Sequence, residues 1–399
     1  MWTLPLGPIG PKRPVLRIVR GQGPWVYDAD GRAWMDLTSG LMVNVLGHRH
    51  PAVERAVTRQ LRRHTHVMVY GVWPAEIQVR WARRLKTLLP AGLTAIYPTN
   101  SGAEAIEGAL KTAFVQTGRR TFVAFEGAYH GETQGALALI GSPAYRSAFQ
   151  WMEAEVIRLP WDDPSALEAI DERVAAVVVE PVQGEGGIRT AGARFWQTLQ
   201  RRCRDVGALL ILDEVQTGMG RCGSWWACQR LQLRPDVLVL GKALGGGFPL
   251  GAFVLRRGLA QALLATGLIP HLSTFGGHPV ACAASLAVLR TLQRQRLIRR
   301  VQRLEARWRR VFQGWCRLYP NVLAGARGLG LMWGLVFHRP DQAEAFLQAV
   351  QARGYLMDRP LFEERVVRFA PPYILTPEQV RRVRADLAAA LQELASRRE

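Results

Sequence analysis

Five short apolar runs constrain this chain more than any other feature: "TAIYPT", "TFVAF", "VAAVVVEP", "ALLILDE" and "DVLVLG". Each is too short for a helix, and each is separated from the next by a helical segment or a loop. Continuous apolar strands of this kind are buried on both faces. Alternation with helices therefore predicts an α/β fold, a mostly parallel sheet flanked by helices. In such sheets ligands sit outside the carboxyl ends of the strands. Three of the runs end on ionisable residues, Glu180, Asp213 and Lys242, so a site is expected along that edge.

The chain around this core reads differently. "PVLRIVRGQGPWVYDADGRAWMDL" predicts short strands joined by turns at Gly21–Gly23 and Asp28–Gly31. "PAVERAVTRQLRRH" and "EIQVRWARRLKTLL" have the period of amphipathic helices. After Pro279 two long helical segments lead to a smaller α+β region containing "GLGLMWGLVF" and "VVRFAPPYIL". The last helix opens on Thr376-Pro377-Glu378-Gln379, a capping box with proline in the first turn.

Composition narrows the class. In 399 residues, 48% hydrophobic and 21% charged, no apolar run approaches the ~18 residues of a membrane span. The opening "MWTLPLGPIGPKRP" lacks the order of a signal peptide. Five cysteines, an odd number without a C-x-x-C pair, argue against a disulfide framework or zinc site and fit a reducing cytoplasm. No metal site is expected. The net charge of +20 raises nucleic-acid binding as a possibility. No zinc finger, RNA-recognition signature or polybasic tail supports it. The arginines recur at helical spacing, which reads as solvated helix faces whose field would favour small acidic substrates. The expectation is no nucleic-acid partner and no membrane.

The candidate chemistry sits at strand ends. Lys242 is one of only four lysines, and it follows a buried strand and precedes a glycine run, Gly245–Gly247. Burial lowers an amine's pKa and makes it a usable nucleophile or base. Asp213 lies just past four apolar residues. A carboxylate at that depth needs a positive partner, either a cofactor's pyridinium N–H or an arginine. "TNSGAEAIEGALKTAF" is a strand-to-helix junction with Ser101 and Glu104 as a capping box and Gly102 allowing close backbone approach. Its first-turn amides suit a phosphate. The Asp213-Glu214 pair does not mark an ATPase, because no G-x-x-x-x-G-K-[ST] occurs. A buried lysine, a buried aspartate and a phosphate-binding helix start are together the requirements of pyridoxal phosphate chemistry.

These residues sit in stretches that, in order, resemble the class III pyridoxal-phosphate aminotransferases of fold type I, the group of acetylornithine, ornithine and 4-aminobutyrate aminotransferases. The stretches are "LGHRHP", "TNSGAEAIEGALK", "FEGAYHGET", "VVVEPVQGEGG", "LILDEVQTGMGRCG", "LGKALGGGFPLGA", "STFGGHP" and "RFAPPY", with 29 residues from Asp213 to Lys242. The resemblance implies a large cofactor domain at 50–280, and a smaller α+β domain built from both termini, 1–49 and 281–399. It implies that Lys242 carries pyridoxal 5'-phosphate as a Schiff base and later moves the substrate's proton. Asp213 would keep the pyridine nitrogen protonated. Tyr129 and Val215 would sandwich the ring, and Gln216 would lie near its phenolic oxygen. Ser101, Gly102 and Ala103 would bind the phosphate. Thr274 would reach the phosphate held by a neighbouring subunit, so a homodimer with shared sites is expected. His130 is a further cofactor candidate, although a lone histidine also serves structure.

Glu185 in "QGEGG" and Arg368 in "VVRFAPPY" match a pair that acts as a switch in that family. The arginine takes the α-carboxylate of 2-oxoglutarate, and the glutamate pairs with it when the amino donor offers none. The expected reaction is ping-pong transamination of an acetylornithine, ornithine or ω-amino-acid type donor with 2-oxoglutarate. The family residue after "HG" is usually arginine, and here it is Glu132. "YHGET" is closer to the adenosylmethionine-8-amino-7-oxononanoate aminotransferases of biotin synthesis, but Leu41 and Met42 depart from that branch. That activity and a pyridoxal-phosphate aminomutase stay open as alternatives. An acidic Glu132 near the donor would favour a donor with a distal cation.

Overall fold

The computed structural model describes residues 16–67, 73–147, 155–267 and 271–396. The opening stretch read against a signal peptide lies outside the described residues. The chain begins with three antiparallel strands, β1 (Ile18–Gln22), β2 (Trp25–Asp28) and β3 (Ala33–Asp36). Next come α1 (Pro51–Leu61) and α2 (Glu76–Lys86). Proline at the first turn and the His50 ring accepting from the Ala52 amide at 3.2 Å start α1.

A seven-stranded sheet forms the centre, in the order β4-β10-β9-β8-β7-β5-β6. Its members are β4 (Leu93–Thr99), β5 (Thr121–Phe125), β6 (Val156–Leu159), β7 (Val174–Val179), β8 (Leu209–Asp213), β9 (Val237–Leu240) and β10 (Gly251–Arg256). The five apolar runs are β4, β5, β7, β8 and β9, and they all run one way. Only β10 runs antiparallel, pairing with β4 on one side and β9 on the other. Strands β5, β7, β8 and β9 are buried at every position, as expected of a sheet covered on both faces.

The covering helices include α3 (Gly102–Thr117), α4 (Ala193–Val206), α5 (Arg257–Ala265) and α6 (Pro279–Arg294). Left-handed glycines, Gly118 and Gly207, end α3 and α4. Helix α6 packs on α1 and α2. Trp81 of α2 is anchored by its indole N–H donating to Ser285 Oγ of α6 at 2.8 Å.

Beyond α6 lie α7 (Leu297–Leu318), β11 (Leu323–Leu329), β12 (Met332–Phe337), α8 (Pro340–Ala352), β13 (Tyr355–Leu356), β14 (Val366–Phe369) and α9 (Pro377–Ser396). Strands β11, β12 and β14 make an antiparallel sheet. Strand β13 instead joins β3 in parallel, so the chain's two ends share one sheet. The capping box of α9 forms as read: Gln379 N donates to Thr376 Oγ1 at 3.2 Å, and Thr376 N to Gln379 Oε1 at 2.9 Å. Among the described residues no helix is long and apolar enough to cross a membrane.

Candidate active site

The three charged strand ends lie side by side, because β7, β8 and β9 are neighbours in the sheet. The register pairs Val179 with Leu212 and Asp213 with Val239. Glu180, Asp213 and Lys242 therefore emerge at one edge. They line a cavity of about 470 Å³ together with Gly102, Tyr129 and Val215.

Lys242 is half-buried and adopts a φ of 44°. A non-glycine residue pays strain in that region, and such strain gathers at functional sites. Gly246 and Gly247 follow, also at positive φ, and a Cβ on Gly246 would come within 2.7 Å of Val288 on α6. Desolvation holds the Lys242 ammonium below the ordinary lysine range. Glu185 opposes that shift and Arg368 reinforces it.

Asp213 meets a histidine, not an arginine. His130 Nδ1 lies 2.7 Å from Asp213 Oδ2, and the Val215 amide donates to Asp213 Oδ1 at 2.9 Å. Burial disfavours a charged His130, but the hydrogen bond and charge of Asp213 outweigh it and raise the imidazole's pKa, with Glu180 helping. His130 Nε2 is buried without a hydrogen-bond partner among the described residues. Glu180 accepts from the Tyr129 amide at 3.1 Å and the Gly184 amide at 2.9 Å. Burial, backed by the nearby Asp213 charge, pushes its carboxyl up to about 7, against the pull of His130 and the two amides.

The adjacent Glu214 faces away from this group. It accepts from the amides of Ala227 at 2.6 Å and Cys228 at 2.7 Å. The Asp-Glu pair thus serves two separate places, and among the described residues no cluster of metal-ligating side chains occurs.

Ser101 caps α3, its Oγ accepting from the Glu104 amide at 3.2 Å. The reciprocal half of the expected box is displaced by one residue: Glu104 Oε2 accepts from Asn100 N at 2.9 Å. The first-turn amides of Gly102 and Ala103 have no acceptor within the helix, and both residues line the cavity. A Cβ on Gly102 would come within 2.7 Å of Val215 Cγ2. Thr274 is exposed and does not line this cavity. Its neighbour Ser273 is tied to the rim by Asn100 Nδ2, which donates to Ser273 Oγ at 2.7 Å.

Arg368 and Glu185 stand behind the cavity wall. Arg368 Nη1 and Nη2 donate to the two Glu185 oxygens at 3.0 and 2.8 Å. Gln216, which lines the wall, donates to Glu185 Oε1 at 3.2 Å. Desolvation disfavours ionised Glu185, but the charge and hydrogen bonds of Arg368 hold its carboxyl below the usual range. Asp358 lies 3.4 Å from Arg368 Nε. Burial pushes that second carboxyl up to about 6, against the Arg368 charge. At the cavity mouth Glu132 Oε1 accepts from Tyr129 Oη at 3.1 Å and Tyr145 Oη at 2.7 Å. The hydrogen bond to Glu132, with burial, pushes the Tyr145 phenol up to about 12.

The structure therefore brings together Ser101, Gly102, Ala103, Tyr129, His130, Glu132, Asp213, Val215, Gln216 and Lys242 around one cavity. It sets Glu185 and Arg368 one contact behind it, and Thr274 outside. Sequence reading missed Tyr145 and Asp358. Neither belongs to a periodic pattern, and each meets its partner only through the folded loops.

These residues fit pyridoxal phosphate. They offer a half-buried amine of lowered pKa, a buried carboxylate, free first-turn amides and two buried polar atoms without partners, His130 Nε2 and Gln216 Oε1. Comparison with known proteins agrees. A family model for aminotransferase class-III matches residues 9–391. The chain belongs to the class-III aminotransferases. As such it is a pyridoxal-phosphate-dependent aminotransferase of fold type I.

Among its relatives is the acetylornithine aminotransferase of Mycolicibacterium smegmatis, 41% identical over 96% of this chain and 95% of that protein. The acetylornithine aminotransferase of Methanosarcina mazei is 36% identical over 92% of this chain and 90% of its own length. Among solved structures, the ornithine aminotransferase of Toxoplasma gondii superposes with a TM-score of 0.90 at 28% identity, covering 98% of this chain and 94% of that one. An (S)-enantioselective omega-transaminase of Thermomicrobium roseum superposes with a TM-score of 0.89 at 28% identity, over 98% of this chain and 96% of its own.

Proposed function

We propose that this aminotransferase moves an amino group from an amine or amino-acid donor to 2-oxoglutarate in two half-reactions at Lys242, as an enzyme of the acetylornithine, ornithine or ω-amino-acid type. The observation that carries the acceptor is the buried two-point pair between Arg368 and Glu185. A guanidinium already held in fork geometry can exchange one carboxylate for another. When a donor without a carboxylate at that position is bound, Glu185 neutralises Arg368. When 2-oxoglutarate enters, its α-carboxylate takes the guanidinium and Glu185 turns away.

Pyridoxal phosphate supplies an electron sink for the carbanion formed at the donor's amine-bearing carbon. Lys242 Nζ, whose ammonium is disfavoured by desolvation, would take the proton from that carbon. Asp213, hydrogen-bonded to His130, would hold the cofactor's ring nitrogen. Tyr129 and Val215 would hold its ring, Gln216 would interact with its phenolic oxygen, and Ser101, Gly102 and Ala103 would receive the phosphate. Thr274, exposed on its own subunit, serves the phosphate site of a second subunit. The working form is then a homodimer, with the segments 1–49 and 281–399 forming the smaller domain beside 50–280, in a cytoplasmic setting.

Glu132 bears on the donor. Its carboxylate is held at the cavity mouth by Tyr129 and Tyr145, so a donor with a distal cation gains there and one with a distal carboxylate loses. The test follows the visible spectrum while a panel of diamines, basic amino acids and N-acylated basic amino acids is added, then 2-oxoglutarate. Loss of the cofactor band with a donor and its return with 2-oxoglutarate support the reading. Turnover without any oxo acid would replace it with an intramolecular aminomutase. For the donor, Glu132→Arg should shift preference away from diamines, and an unchanged profile would remove Glu132 from the donor site.

A further inference from the structure

Part of the chain's strong positive charge gathers in a hollow away from the active site. Helices α1, α2 and α6 enclose a hollow of about 550 Å³. Arg55 and Arg59 enter it from α1, Arg63 from the turn that follows α1, Arg80 from α2, and Arg290 and Arg294 from α6. The spacing of four residues sets Arg55 and Arg59 on one face of α1. The floor is apolar, with Ile77 from α2 and Leu286 from α6.

What distinguishes this hollow from an ordinary solvated face is that six arginines converge on one concavity with no acidic residue among its lining. Some arginines elsewhere find carboxylates: Arg230 meets Glu305 at 2.6 Å and Arg353 meets Glu393 at 3.1 Å. No aspartate or glutamate lines the hollow, and none of its six arginines has a carboxylate partner among the described residues. Arg290 is held below the ordinary arginine range by partial burial and then by the like charges of Arg80 and Arg84. Like charges gathered from three helices repel, and an anion in the hollow removes that cost. A single phosphate would engage few of six guanidinia. The volume is that of a small-molecule site, and guanidinium forks match phosphate oxygens two by two.

We propose that this hollow binds a small anion carrying two or more linked phosphate groups, as a site separate from the one at Lys242. An inorganic polyphosphate and a nucleoside polyphosphate share that chemistry. In the second, the nucleoside would rest on the apolar floor.

The test is calorimetric titration of the pyridoxal-phosphate-loaded protein, in which the active-site phosphate cradle is filled, at low and moderate salt. The titrants are tripolyphosphate, ATP, orthophosphate and a 20-nucleotide single-stranded RNA. Tripolyphosphate should bind one per chain, and orthophosphate should bind about tenfold or more weaker. ATP equal to tripolyphosphate assigns the site to the phosphate chain alone, and tighter ATP adds the floor. The double variant Arg59→Gln, Arg290→Gln should weaken tripolyphosphate about tenfold or more. The same exchange at exposed Arg194 and Arg201 on α4 should leave it unchanged. Transamination and the cofactor spectrum verify that both double variants fold. The proposal is overturned by absent binding, or by binding equal in both double variants. It is also overturned if RNA binds and tripolyphosphate does not. Sedimentation showing that the Arg59, Arg290 pair separates subunits would also overturn it, by making the hollow an interface between copies.

Discussion

Arg368 and Glu185 face each other in a fork of two hydrogen bonds, 3.0 and 2.8 Å, with Arg368 only 1% exposed. They come from positions 183 residues apart. Removing the guanidinium leaves two carboxylates, Glu185 and Asp358, without their cation. Arg368→Ala should therefore cost about 3–5 kcal/mol of stability, read by denaturant unfolding. Glu185→Gln keeps an acceptor for Arg368 and should fold. Its acid limb should differ from wild type. A depressed folded pKa contributes stability that is present above the ordinary glutamate value and lost as pH falls through the depressed one. The glutamine variant should lack that loss. With 2-oxoglutarate, Arg368→Lys should raise KM about tenfold or more, since one ammonium cannot replace a fork.

Glu180 titrates the other way. Its folded pKa, raised to about 7 by burial, makes it a group whose stabilising contribution is present below the ordinary glutamate value and is lost as pH rises to about 7. Glu180→Gln should remove about 3 kcal/mol of that pH dependence. The check is chemical denaturation of both proteins at intervals from pH 4.5 to 8. Parallel curves would mean that Glu180 is already ionised in the folded state.

Lys242 carries a cost of the same kind. Desolvation lowers its pKa, so below that lowered value the folded protein pays to keep the ammonium. In cofactor-free protein, Lys242→Met should be more stable than wild type at neutral pH. The difference should vanish as pH rises through the ordinary lysine range. The same variant should show no lysine-linked visible band and no transamination. Thermal melts and absorbance spectra read the two effects separately.

Gly102→Ala tests the cradle. The added methyl would lie 2.7 Å from Val215 Cγ2, so Val215 must shift or the helix start must retreat. Overpacking of this kind costs about 1–3 kcal/mol. Cofactor retention on dialysis should fall while the secondary-structure spectrum stays unchanged. Gly184→Ala would instead displace the amide end of the Gln216 side chain, where its methyl would land.

Much of the fold was legible because strand burial on both faces leaves an unbroken apolar run. The runs ending at Glu180, Asp213 and Lys242 mark β7, β8 and β9 nearly to the residue, and the start of α3 is marked by Ser101. The antiparallel placement of β10 was not legible. Its run has the same composition as its parallel neighbours, and direction is set by the connection, not by side-chain pattern. The pairing of β13 with β3 was likewise invisible, since two residues near the C-terminus carry no register signal for a strand near the start.

The sequence by itself determined which ionisable groups stand at the ends of apolar strands and in what order the chain presents them, because an amine or a carboxylate at the end of an apolar strand is a local fact. Tertiary structure decided their partners. It put His130 rather than an arginine on Asp213, turned Glu214 away from its neighbour, joined Glu132 to Tyr145, and gathered six arginines around one hollow. Charge interactions act over a few ångströms of space and not along the chain. Which charges meet is settled only when the helices and loops that carry them are packed.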